Sequence, residues 1–98
     1  MRIIEDEVKN TDGAIIVEGK KDRAALETLG FKNILEISGK SLEKIFQLAK
    51  DERSVYIMTD FDREGEEKSS QLITFLTKCG LTTNISLRKK FKHLFIKK

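Results

Sequence analysis

Three acidic side chains stand where this sequence can least easily carry them. Glu18 follows the β-branched run of residues 14–17, and Asp60 and Asp62 follow the apolar run of residues 55–59. A carboxylate beside a buried strand is costly unless it is solvated, paired or bound to a cation. Asp60 and Asp62 are two positions apart in a turn, so both can face one hard ion. Oxygen ligands alone select Mg2+ or Mn2+ over softer metals, and Mg2+ keeps several waters beside one or two carboxylates. Such an ion neutralises charge developing on a phosphoryl group and orients the attacking and leaving oxygens. Taken singly, the acids have plainer readings. Glu18 reads as a surface acid, Asp60 as a helix N-cap, and the run DREGEE as acids that complement a helix N-terminus. Taken together, with Gly19 and Gly65 beside them to allow tight turns and close approach, they point to a cation and phosphate site.

Basic residues lie close to the acids and far down the chain. Lys20, Lys21 and Arg63 are near enough in sequence to contact phosphate, though each also reads as a solvated side chain. Residues 1–67 hold 11 Lys and Arg against 16 Asp and Glu, a balance of −5, whereas residues 68–98 hold eight basic residues and no acid. That segregation suggests an acidic, metal-binding half beside a basic surface for a polyanion, with Lys89, Lys90, Lys97 and Lys98 as its cations. The plainer alternative is a solubilising basic tail.

The elements that must position these residues follow from apolar spacing. Residues 14–17, 34–37, 55–59 and 83–87 read as strands. Between them, residues 21–29 end at Gly30, residues 42–49 follow a capping Ser41, and residues 64–79 end at Gly80, all with helical periodicity. Ile4 and Val8 suggest a short docking helix before the first strand. The pattern βαβαβαβ predicts a four-stranded parallel sheet in a three-layer α/β/α, Rossmann-like arrangement. An order of 2-1-3-4 is inferred from the need to bring Glu18 and Asp60 into one crevice at the strands' C-terminal ends. The helix that begins near Glu64 points its N-terminal amides toward the same mouth, where an anion is favoured.

The stretches AIIVEGKKD (14–22) and VYIMTDFDREGE (55–66) resemble the two motifs of the Toprim domain, shared by topoisomerases, bacterial-type primases, certain nucleases and recombination mediators. The residues that carry the resemblance are Glu18, Gly19 and Asp22, then Thr59, Asp60, Asp62, Gly65 and Glu66. TDFDREGE is similar to the type IA topoisomerase version, with Phe61 where proline is usual. Residues 92–96 are similar to a stretch in small Toprim proteins related to the nuclease that matures 5S ribosomal RNA. The resemblance implies a Mg2+ or Mn2+ site made by Glu18, Asp60 and Asp62, with the Asp pair as the principal ligands, acid–base work by Glu18, and a nucleic acid substrate, RNA or DNA. It implies phosphodiester cleavage or transfer, or alternatively a non-catalytic binding module acting with a protein partner that supplies a second domain.

Other readings fall away on spacing. Gly39-Lys40-Ser41 lacks the P-loop glycine five positions earlier, where Ile34 stands. An EF-hand loop starting at Asp60 would need Glu at its twelfth position, where Gln71 stands. A two-aspartate phosphatase would use the first strand, and a receiver-type phosphoacceptor needs more strands. Tyr56, the single tyrosine, is expected inside the sheet, which disfavours a tyrosyl intermediate, and Cys79 is expected to be an inert packing residue. One cysteine excludes an internal disulfide and a zinc cluster. Ninety-eight residues suit one domain, with its core at 13–88 and a basic segment at 88–98. No apolar run reaches membrane-spanning length, so no membrane partner and a cytoplasmic location are the expectations.

Overall fold

Side-chain alternation along four short strands determines which helix covers which face of the sheet. The computed structural model describes residues 2–95, with side chains described for residues 4–92, so that Lys97 and Lys98 lie outside the described residues. The elements run α1 (Arg2–Asn10), β1 (Ala14–Val17), α2 (Lys20–Thr28), β2 (Ile34–Glu36), α3 (Leu42–Ala49), β3 (Val55–Ile57), α4 (Arg63–Lys78), β4 (Thr83–Asn84) and α5 (Ser86–Phe95). The sheet is parallel throughout, in the expected order β2-β1-β3-β4. Ile16 sits in register between Leu35 and Ile57.

Ile15, Val17, Tyr56 and Met58 face one side, where Ile4 of α1, Leu26 of α2 and Leu87 and Phe91 of α5 cover them. Ile16, Val55 and Ile57 face the other side, under Ile45 and Ala49 of α3 and Leu72 and Leu76 of α4. This strict period of two makes β1 apolar at every position, as a strand buried on both faces requires. Tyr56 is buried as expected, and its hydroxyl donates to Asp12 Oδ1 at 3.1 Å, so its polar end is satisfied.

The stop signals behave as their chemistry demands. Gly30 and Gly80 take left-handed backbone at φ 103° and 93°. Beyond them, the N–H groups of Phe31 and Leu81 reach back to the carbonyls of Leu26 and Leu76, both at 3.0 Å, which closes the last turns of α2 and α4. Ser41 caps α3, its Oγ accepting from the Lys44 N–H at 3.1 Å.

The end of the chain departs from the expected strand over 83–87. The Asn84 side chain accepts from the Ser86 N–H at 2.7 Å, which turns the backbone out of the sheet after two strand residues and into α5. Leu87 is therefore buried as a helical residue, and the basic segment as far as Phe95 is a helix with an apolar face rather than a tail. α1 and α5 both contribute to the core, which extends beyond residues 13–88. Cys79, expected to pack, is exposed at the end of α4. Among the described residues no helix is long and apolar enough to cross a membrane.

Candidate metal centre and phosphate cleft

Because β1 and β3 are neighbours, the residues that follow them meet. The Asp60 N–H donates to Glu18 Oε2 at 3.0 Å, joining the two strand ends through one acid's backbone and the other's side chain. The Ser38 N–H donates to the Glu18 carbonyl at 3.0 Å and ties in the end of β2. Asp62 takes the N-cap of α4, where its Oδ1 accepts from the Gly65 N–H at 2.8 Å. The capping role read as an alternative for Asp60 thus belongs to Asp62. The turn folds tightly onto its helix. A Cβ on Gly65 would lie 1.8 Å from the Asp60 carbonyl oxygen, and Thr59 Oγ1 donates to the Gly65 carbonyl at 2.7 Å. Gly19 differs from Gly65. Its backbone is extended, as any residue allows, and a Cβ there would meet nothing within 4 Å, so it leaves open space at the start of α2.

The carboxyl of Asp60 is held above its ordinary range, first by partial desolvation at the strand end and then by the charges of Glu18, Asp22 and Asp62. Arg88 works in the opposite direction. Glu18 and Asp60 at two strand ends, with Asp22 of α2 and Asp62 at the start of α4, thus concentrate negative charge that a cation would relieve. Among the described residues no three Asp, Glu, His or Cys side chains form a group ready to hold a metal; Asp62 Oδ1 accepts instead from its own helix and Glu18 Oε2 from the Asp60 N–H. An all-oxygen donor set of this loose kind fits Mg2+, which keeps most of its waters, better than an ion that needs an all-protein cage.

Glu18, Lys20, Lys21, Asp22, Ser38 and Asp60 line an open cleft of about 770 Å3 at the C-terminal ends of the strands. Lys20 and Lys21 therefore stand in the same cleft as two of the three expected acids. Among the described residues, the remaining expected cations do not line it. Arg63 is solvated and pairs with Glu67 at 3.7 Å, Lys90 pairs with Glu7 of α1, and Lys89 is exposed on α5.

One residue escaped the sequence reading. Arg88 of α5 is 6% exposed and spends its guanidinium on the turn that carries the acids. Its Nε donates to the Thr59 carbonyl at 3.0 Å, its Nη2 to the Asp60 carbonyl, and its Nη1 to Glu66 Oε2 at 3.2 Å. The guanidinium also lies 5.2 Å from the centroid of the Phe61 ring, within cation–π range. The available signal was helical spacing. Leu87 and Phe91 are four apart, which places Arg88 beside an inward stripe once the segment is read as a helix.

Comparison with known proteins gives the family and the fold. The family described as Toprim domain matches residues 13–97. A UPF0292 protein of Thermococcus gammatolerans is 34% identical over 90 residues, covering 91% of this chain and 68% of that protein. A UPF0292 protein of Pyrococcus furiosus is 42% identical over 82 residues, covering 83% of this chain and 60% of that protein. A solved structure of a protein from Aquifex aeolicus superposes with a TM-score of 0.87 at 25% identity, covering 98% of this chain and 92% of that one.

Proposed function

We propose, from the premise that this chain belongs to the Toprim domain family, that it is a Mg2+-dependent enzyme cleaving or transferring phosphodiesters of RNA or DNA. The observation that carries this reading is the hydrogen bond from the Asp60 N–H to Glu18, which holds two acids from different strands at one cleft that also contains Lys20 and Lys21. Asp60 and Asp62 are the residues that would hold the cation, with Glu18 beside them. When bound, the cation supplies charge neutralisation at the phosphate. Glu18 serves as the proton-transferring group, its carboxylate oriented by the Asp60 amide. Lys20 and Lys21 attract and seat the phosphate backbone, and the open space at Gly19 lets it approach the first amides of α2.

A screen of structured RNA and single-stranded DNA for cleavage in Mg2+ or Mn2+ tests this directly. Glu18→Gln and Asp60→Asn are expected to lower turnover at least a hundredfold while circular dichroism is unchanged. Full activity in either variant, or in excess chelator, overturns the proposal. A second reading is a binding module that grips nucleic acid without turnover, working with a partner protein. The absence of a ready-made three-ligand group among the described residues favours it. It requires salt-sensitive binding with no product in any metal.

A further inference from the structure

A second groove meets the polar cleft at its acidic edge. It has a volume of about 880 Å3, within the range of small-molecule pockets, and its walls are Val17, Leu26, Leu29, Met58, Phe61 and Phe91. Asp22 and Asp60 line both spaces, so a single pair of carboxylates separates a charged compartment from an apolar one. Asp62 also reaches the rim of the apolar side. Leu29 is 39% exposed there, one of two large apolar side chains left in solvent among the described residues.

We propose that the apolar groove is a nucleobase subsite, which takes one unstacked base of a single-stranded nucleic acid whose phosphate occupies the neighbouring cleft. The inference rests on the phosphodiester reading above and narrows its substrate class. The two compartments repeat the chemistry of a nucleotide, with a charged phosphate at one end and a flat, largely apolar base at the other. Lys20 and Lys21 line the cleft, whereas no basic side chain among the described residues lines the groove, so the phosphate is drawn to the side with Lys20 and Lys21. The neutral base is the part of the same ligand that can enter beyond Asp60. A base paired in a duplex cannot reach the groove, because its faces are covered by its neighbours; single strands, loops and ends can.

The test compares binding of a short single-stranded oligonucleotide with that of an abasic sugar–phosphate chain carrying the same number of phosphates, by fluorescence anisotropy in Mg2+. The natural oligonucleotide is expected to bind about tenfold more tightly, the effect of stacking roughly one base. Ala25→Phe, at an exposed position of α2 on the groove wall, is expected to remove that advantage and leave abasic binding unchanged. Leu29→Asp, a second exposed position, should do the same if the first variant is poorly folded. Equal affinity for the two ligands overturns the base subsite and leaves the phosphodiester reading standing. Failure of both ligands to bind overturns both. A change of oligomeric state in Ala25→Phe, with the base advantage retained, shows that the groove belongs to a second copy of the chain and also overturns the proposal.

Discussion

Asp62 holds two roles that a single substitution can separate. Its Oδ1 caps α4 through the Gly65 N–H, and its charge contributes to the acidic cleft. Asparagine caps a helix about as well as aspartate, whereas alanine does not. Asp62→Asn is therefore expected to keep the stability of the parent while losing the thermal stabilisation expected of the parent on addition of Mg2+ under the proposed function. Asp62→Ala is expected to lose the same metal response and about 1 kcal/mol of stability besides, read by urea unfolding in chelator. Equal stabilities of the two variants would remove the cap from the account. The acids themselves were legible in the sequence, since a carboxylate directly after a β-branched run has few inexpensive explanations. The division of labour among them was not. Whether Asp60 or Asp62 caps the helix depends on where its first turn begins, and apolar spacing leaves that uncertain by a residue or two. Arg88 was hidden for a different reason: its partners are the carbonyls of Thr59 and Asp60, and backbone acceptors look alike at every position of a sequence.

Two helices from opposite faces of the sheet are tied together above the acidic turn. Glu66 of α4 accepts from Lys92 and from Arg88 of α5, both at 3.2 Å. The Lys92 ammonium and then the Arg88 guanidinium hold the Glu66 carboxyl below its ordinary range. A depressed folded-state pKa stabilises the fold above the unfolded-state pKa, and that contribution is lost as the pH falls through the folded-state value. Glu66→Gln should therefore be less stable than the parent at neutral pH, and the two melting curves should converge in acid below the usual glutamate range. The Glu66 side chain is 47% exposed, so screening limits the neutral-pH difference to about 0.5–1 kcal/mol. A gap that persists unchanged in acid would assign the effect to something other than this ion pair. Glycine and serine signals made the limits of α2, α3 and α4 legible, because each corresponds to one required backbone conformation or one cap. The junction of β4 and α5 was not legible: Thr83, Ile85 and Leu87 fit a strand period, while Leu87 and Phe91 fit a helix. The Asn84 side chain decides between them.

At the scale of the molecule, the basic half is less available than its charge suggests. Lys90 is engaged by Glu7, Lys92 by Glu66, and Arg88 is buried against the acidic turn, so part of the positive charge of residues 68–98 is spent internally on the negative half. Under the proposed function, phosphate contact falls first to Lys20 and Lys21, which line the cleft. Neutralising each of these lysines should flatten the dependence of log affinity on log salt by about one unit, while Lys90→Met should leave the slope unchanged. Binding titrations at several salt concentrations distinguish the two, and a slope set by Lys90 would relocate the interface to α5. The overall fold was legible because strand order was forced by one requirement, the meeting of Glu18 and Asp60, which the parallel sheet satisfies. The brevity of β4 bears on a hazard common to sheet proteins. An edge strand exposes unpaired amides and carbonyls that can recruit a strand from another molecule and seed aggregation. Here β4 offers only Thr83 and Asn84, and β2, at the opposite edge, only three residues. The same asparagine turn that converts the expected strand into a helix leaves too short a template for edge-to-edge polymerisation.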